Sequence, residues 1–414
     1  MSQPAADPAP HPYRWAVLFG VWLMYFSFGL SIASMAPMVT EIAEDLGTSL
    51  GAMGAVLGAW QLCYIAAALP LGALLDRIGV ARGLMASACV MAFSLACRGL
   101  AGSEWQLFAA VAVFGLGGPL ISIGAPKLIA LWFSGASRGM AMGIYMTGPA
   151  MGGIVVLWAV QRALLPWTDS WRMVLFILAG AILTAGVIWW LISRHAEAQA
   201  RDGKVQGLSK GDSFRAFLEI ARLRTVQIVL LMSIGIFMLN HGLNNWLPEI
   251  LRAKGMDPVA ASDWASIPTL VGILGALTIP RFATPDRRIP IMLGLFLAVG
   301  IATLLLHLLP GLGLATGLVL QGIARSSMMT VAILLLMEAP GVPPERAGVA
   351  GGMFFTVAEI GGVLGPLSIG VVSDASGGFG TSLWMLSGVS TLLLGLLGWL
   401  YLLQTRLARE AATG

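Results

Sequence analysis

Apolar residues in this chain come in long uninterrupted runs, unlike the one-sided stripes of soluble helices or the alternation of half-buried strands. Six runs precede the polar stretch from Arg194 to Arg224 and six follow it. Each is roughly 20 residues or more, the length that carries a helix across a bilayer core about 30 Å thick. With no water at mid-bilayer every backbone N–H and C=O must be paired internally. Runs this continuous fit helices and not the ten-residue alternating segments of barrel strands. The pattern predicts an all-α membrane protein with twelve transmembrane helices in two six-helix halves, residues 14–193 and 225–404. Residues 194–224 form a linker between the halves, and residues 1–13 and 405–414 form short tails. The spans are expected at about 14–39, 49–75, 82–100, 105–133, 138–164 and 171–193 in the first half. Those of the second half are expected at about 225–250, 258–279, 290–309, 311–337, 346–372 and 381–403.

Composition agrees with this class, because 57% of residues are hydrophobic and only 11% are charged, too little polar surface for a soluble globule. The net charge of +4 sits in the short loops between spans and forms no patch for nucleic acid. It carries topology instead. With both termini in the cytoplasm, Arg14, Arg77, Arg82, Arg138, the 194–224 cluster, Arg281, Arg287, Arg288, Arg346, Arg406 and Arg409 lie inside. Only Arg98, Arg162, Arg172, Arg252 and Lys254 remain outside, which fits the excess of cations on cytoplasmic loops. The expectation is a multi-pass protein of the plasma membrane, the inner membrane if the cell is Gram-negative, with the lipid bilayer as its partner and no nucleic acid. Cys63, Cys89 and Cys97 lie within predicted spans and offer neither a disulfide framework nor metal-ligand spacing, so no metal or other cofactor is expected. The first twelve residues, rich in Pro and Ala, read as a disordered tail before a retained helix. In the linker, Phe214, Phe217, Ile220 and Leu223 share one side of a short helix that would lie on the membrane surface.

Between the second and third spans runs Gly72-Ala-Leu-Leu-Asp76-Arg77-Ile-Gly79-Val-Ala-Arg82. Gly79 permits a tight turn, and Asp76 and Arg77 can cap helix ends or pair across the loop, which makes this a charged hinge. The segment resembles the loop signature of the major facilitator superfamily, Gly-x-Leu-x-Asp-Arg-x-Gly followed by basic residues. Gly72, Leu74, Asp76, Arg77 and Gly79 match it, while Val80 and Ala81 replace the usual basic pair. The resemblance covers essentially the whole chain and implies alternating access between two halves, with this loop as a conformational element. A second segment, Gly148-Pro149-Ala-Met-Gly152-Gly153, resembles a signature of antiporter branches in the fifth span. Read from its residues alone, it is a bent, closely packed helix. Val111 stands where many members carry an arginine in the fourth span. Arg138-Gly-Met-Ala-Met-Gly143 and Arg346-Ala-Gly-Val-Ala-Gly351 open the fifth and eleventh spans alike, a weak repeat that fits parallel halves with substrate held between them.

Two ionisable residues sit deep in the second half. Arg325 lies 13 residues before Glu338, and Glu359 lies 13 residues after Arg346. At about 1.5 Å per residue both are roughly 20 Å from their cytoplasmic helix ends. Charges at that depth cost at least about 2.5 to 3.5 kcal/mol each on insertion scales and face the bundle interior or a cavity. Two readings stand: a static pair that locks the second half, or an anion-binding Arg325 with a proton-carrying Glu359. Lys127 in the fourth span either meets substrate or snorkels to the cytoplasmic face, and its surroundings are similar to the fourth span of nitrate/nitrite and organic-anion porters. The seventh span sets Asn240 and Asn244 one turn apart, and likewise His241 and Asn245, which makes two adjacent polar stripes. They line a polar cavity or bond neighbouring helices, with Pro248 loosening the helix as an outer gate and His241 a second candidate for the proton. Asn245-Trp246-Leu247-Pro248 resembles the cyanate and nitroimidazole-type branch. In the first half Tyr25, Trp60, Gln61, Tyr64 and Tyr145 supply aromatic and polar edges near mid-span.

There is no Gly-x-x-x-x-Gly-Lys-Ser/Thr loop to bind nucleotide, so a gradient must supply the energy for transport. No catalytic set of the Ser-His-Asp or metal kind occurs at membrane depth, which argues against an enzyme. The expected function is secondary transport of a small organic or inorganic anion, acting as a monomer and coupled to a proton. Proton-driven drug or metabolite export is the alternative, with a non-transporting sensor behind it.

Overall fold

The structure is a computed structural model and describes residues 11–201, 218–343 and 346–413. Twelve of its helices are long and apolar enough to cross a membrane. In the first half these are α1 (Arg14–Leu46), α2 (Leu50–Ala68), α3 (Val80–Leu100), α4 (Glu104–Trp132), α5 (Ser137–Thr168) and α6 (Trp171–Ser193). The second half contributes α7 (Arg224–Ala253), α8 (Pro258–Phe282), α9 (Arg288–Leu308), α10 (Leu312–Met337), α11 (Val349–Ser376) and α12 (Phe379–Leu407). No strand occurs among the described residues. The all-α, twelve-span expectation holds.

The boundaries differ where apolar character and helical character part company. The acidic turn after the first run is itself helical over Val39–Leu46, because Pro37 only tightens the chain into a short 3-10 turn at Ala36–Met38 before the helix resumes. The helix of α2 continues past Ala68 to Ile78 and stops at Gly79, whose φ of +88° few other residues adopt. The last helix extends to Thr413, so most of the expected C-terminal tail is helical. Residues 1–10 and 202–217, with Phe214 and Phe217 of the surface-helix expectation, lie outside the described residues. Of that stripe Ile220 is buried and Leu223 packs near Gly341.

Within each half, helices meet through glycine. A Cβ at Gly152 of α5 would stand 2.2 Å from the Phe26 carbonyl of α1, and one at Gly361 of α11 would stand 1.9 Å from the Ile234 carbonyl of α7. Likewise Gly115 of α4 abuts the Trp60 carbonyl of α2 (2.1 Å), and Gly322 of α10 abuts that of Pro268 in α8 (2.4 Å). The same pairings therefore recur in both halves, first with fifth and second with fourth. Bare backbone at these crossings gives van der Waals contact, the main cohesive force where lipid is as apolar as the side chains.

Contacts between the halves are concentrated at the face opposite the termini. There Thr40 Oγ1 donates to Glu249 (2.6 Å), Arg252, also 3.2 Å from Glu249 of its own helix, reaches Glu41 (3.0 Å), and Arg162 pairs with Asp263. Asp374 at the end of α11 accepts from the Leu50 and Gly51 amides at 3.1 and 2.6 Å, capping α2 from the other half. Glycines report the same asymmetry. A Cβ at Gly370 would stand 2.2 Å from the Leu50 carbonyl, and one at Gly54 2.5 Å from that of Pro366. Nearer the termini, Gly139 and Gly143 of α5 and Gly352 of α11 have nothing within 4 Å of such an atom. The bundle is closed at the opposite face and open at the terminal face.

Candidate transport site

The contact between α2 and α11 runs inward from the closed face and ends in a polar cluster near mid-membrane. Gln61 of α2, His241 of α7 and Glu359 of α11 meet there. Gln61 Nε2 lies 3.4 Å from His241 Nδ1, and His241 Nε2 lies 4.0 Å from Glu359 Oε2. Gly362, one turn beyond Glu359, makes the meeting possible, since a Cβ there would stand 2.6 Å from Glu359 Oε2 and 3.0 Å from Gln61 Cγ. The rings of Trp60 and Phe237 close on the imidazole at 5.7 and 5.5 Å between centroids. The cluster thus joins a carboxylate and a histidine of the second half to an amide and an indole of the first.

Arg325 of α10 is buried, and its guanidinium makes no hydrogen bond or ion pair among the described residues, with Nη1 fully enclosed. One turn earlier on the same face, Gln321 is completely buried with both amide atoms unpartnered. Gln61 Oε1, Glu359 Oε2 and Ser327 Oγ are also buried without a hydrogen bond. Buried polar groups in proteins are almost always paired, so Arg325 and Gln321, one turn apart on one helix face and both without a hydrogen-bond partner, mark a place built to bind something polar. No ion pair links Arg325 to Glu359. Although α10 and α11 are consecutive, the rotation of α11 turns Glu359 towards α2 and α7.

The other expected residues fall in several places. Tyr25 and Tyr145 stack edge-to-face at 4.9 Å between α1 and α5, and Tyr64 bonds Ser122 at 3.0 Å. Asn244 donates to Asn240 (2.9 Å), and Asn245 donates to the His241 carbonyl (2.8 Å), so these amides first satisfy their own helix. Lys127 lies 2.5 Å from Asp76, which joins α4 to the loop signature at the terminal face and sets it apart from the mid-membrane cluster. Arg77 is exposed beside that loop, and Gly72 faces Ile123. Gly148, Pro149 and Gly152 form the α1–α5 crossing, with Gly153 nearest Ala33, while Pro248 is buried in α7 next to Glu249, one of the residues that latch the closed face.

Two residues escaped the sequence reading. Gln321 is neutral and does not stand out in an apolar run; its only signal is its four-residue spacing from Arg325. Arg98, counted with the outer residues because it lies at the outer end of the third span, is buried and bonds the Ser31 carbonyl, Ser34 Oγ and Ser94 Oγ at 3.1, 3.1 and 3.2 Å. Ser94 at i−4 was the available clue.

The sequence is 24% identical over 405 residues to the "Probable galactarate/D-glucarate transporter GudP" of Bacillus subtilis (strain 168), covering 89% of this chain and 88% of that one. It is 23% identical over 403 residues to the "Probable sulfoacetate transporter SauU" of Cupriavidus necator, covering 91% and 90%. The fold superposes on that of the nucleoside transporter NupG with a TM-score of 0.76 at 16% identity, over 94% of this chain and 99% of that structure. The profile of the Major Facilitator Superfamily matches residues 21–366. With twelve spans, two halves of matching construction and that match, the chain belongs to the Major Facilitator Superfamily, whose members are membrane transporters and not enzymes.

Proposed function

We propose that this chain moves a small organic anion across the plasma membrane by alternating access, with the anion on Arg325 and a proton on the Glu359–His241 pair. The observation that carries the reading is the unpartnered Arg325 guanidinium with the unpartnered Gln321 amide beside it. A desolvated lone cation is unfavourable by several kcal/mol, and a bound carboxylate or sulfonate offsets that penalty through charge-assisted hydrogen bonds. Gln61 and Gln321 present amides to hydroxyl or further acid oxygens, and Trp60 supplies an apolar edge. The names of the two relatives, galactarate/D-glucarate and sulfoacetate transporters, designate anions of this size and support the same reading.

Glu359 and His241 sit where the closed contact between the halves ends, so the proton state of this pair bears on whether α2 and α11 stay together. With the termini in the cytoplasm, as the distribution of arginines favours, the arrangement seen is open inward. The Gly148–Gly153 segment packs α5 on α1 and serves either direction of transport, so it gives proton-driven export no advantage.

The test is uptake into liposomes containing the purified chain, with D-glucarate, sulfoacetate and a lipophilic cation as candidate solutes under an imposed pH gradient. Gradient-driven movement of an anion, abolished by Arg325→Gln, is expected. Transport of the cation alone, or anion uptake indifferent to Arg325, would overturn the reading.

A further inference from the structure

A cleft at the terminal face of the first half lies away from the mid-membrane cluster. It has a volume of about 750 Å³ and opens between the α2–α3 turn and the last turn of α6, lined by Arg77, Arg82, Met85, Trp190, Ser193 and Arg194. Among the described residues no carboxylate lines it. Among the described residues none of its three arginines makes an ion pair or a side-chain hydrogen bond; Arg194 stacks over Trp190 at 4.6 Å. Asp76, the nearest acid in sequence, is engaged by Lys127.

The cleft also contains the start of a long helix. The α3 helix begins at Val80 after Gly79, with no side-chain cap, so its first backbone N–H groups have no partner within the helix. Gly79, Ala81 and Arg82 of that first turn all line the cleft. Unsatisfied amides at a helix start favour an anion, and here three unpaired guanidinium groups converge on the same place. The floor is fixed, since Trp189 Nε1 donates to the Ala81 carbonyl at 3.0 Å and ties α6 to α3.

One wall is apolar and belongs to the lipid-facing side of the bundle. Leu183, Val187, Trp190 and Leu191 of α6 are 50%, 52%, 43% and 60% exposed, a surface that acyl chains cover in a bilayer. That face leads straight into the arginines, with Trp190 at the boundary where indoles settle between hydrocarbon and headgroup. An apolar approach ending in uncompensated positive charge matches an amphiphile and not a free ion. We propose that this cleft binds the headgroup of an anionic phospholipid from the leaflet at the terminal face, its phosphate against Arg77, Arg82, Arg194 and the start of α3. A zwitterionic lipid would bring its ammonium against three cations and is rejected.

The test is native mass spectrometry of the full chain released from mixed micelles of phosphatidylglycerol and phosphatidylcholine. Wild type is expected to retain one phosphatidylglycerol in preference to phosphatidylcholine. At about 1 kcal/mol per basic residue near a lipid surface, Arg82→Gln with Arg194→Gln should weaken retention roughly 30-fold. Arg287→Gln, an exposed arginine at the same face of the other half, should leave it unchanged. Arg194→Gln alone, at an exposed helix end, gives a second reading if the double variant fails to fold, with a loss of roughly fivefold expected. Equal retention by the variants, or equal loss in Arg287→Gln, would overturn the proposal. Displacement of the lipid by millimolar inorganic phosphate would likewise overturn the choice of lipid in favour of a phosphate site.

Discussion

Replacing Arg325 by methionine should move binding and stability in opposite directions. Arg325 is 6% exposed and its guanidinium has no partner among the described residues, so removing its charge relieves a desolvation penalty and leaves no group stranded. The ligand-free variant should be at least as heat-stable as wild type. Were Arg325 half of a static buried pair, its loss would instead destabilise the chain by about 3 to 5 kcal/mol. Binding should suffer, because truncating one partner of a buried charged contact costs about 2 kcal/mol or more, a factor of about 30 in Kd. At an anion concentration of about 100 Kd, wild type gains about 2.7 kcal/mol of stability from the ligand. The variant, at about 3 Kd, gains about 0.9 kcal/mol or less. A thermal-shift titration of both proteins with one anion reads the two effects together. A variant that melts earlier without ligand yet gains as much from it as wild type would refute the reasoning, and would make Arg325 structural.

Glu359→Gln removes the ionisable oxygen beside His241 and should abolish accumulation driven by a pH gradient while sparing substrate exchange, measured in the same liposomes. Gly370→Val should clash with the Leu50 carbonyl and hold the opposite face open, whereas Gly352→Val should fill open space and favour the arrangement seen; alkylation of a cysteine introduced behind the latch should rise in the first and fall in the second. Glu338 accepts two hydrogen bonds from Arg288, at 2.6 and 2.8 Å, which hold its carboxyl below its ordinary range. The folded value being the lower one, this pair stabilises the fold above the unfolded carboxyl's pKa of about 4.3 and loses its effect as pH falls through the folded value. Glu338→Gln should therefore flatten the acid limb of a melting-temperature profile, by under about 1 kcal/mol because the carboxylate is half exposed. Equal acid sensitivity in the variant would remove this pair from the account.

Hydropathy alone located the spans because the bilayer constrains length and polarity so severely. It located Arg325 and Glu359 for the same reason, since a charge among apolar residues is conspicuous. What it could not supply was helix rotation. Adjacency in sequence put Arg325 and Glu359 together, yet packing turns Glu359 towards Gln61 and His241. Gln321 stayed hidden because a neutral amide hardly disturbs the hydropathy of its run, although once buried it needs partners as much as a charge does. Arg98 misled because it lies just before a helix end, where exposure and burial look alike in a one-dimensional profile. Lys127 was placed near the terminal face by counting residues, but its partner Asp76 emerges only when α2 and α4 are set side by side.

The carboxylate of Asp374, shared with the first two amides of α2, bears on turnover. When the opposite face parts, those amides and that carboxylate are released into water, which solvates all of them. Exchanging such a bond for hydration involves only about 0.5 to 3 kcal/mol, and the Arg162–Asp263 pair, about a third or more exposed, adds less. A latch made of groups that water can satisfy sets a shallow barrier, within the reach of one bound anion's differential affinity for the two states. The speed of the cycle should then depend less on breaking the latch than on how completely the mid-membrane polar groups are satisfied while the halves exchange faces.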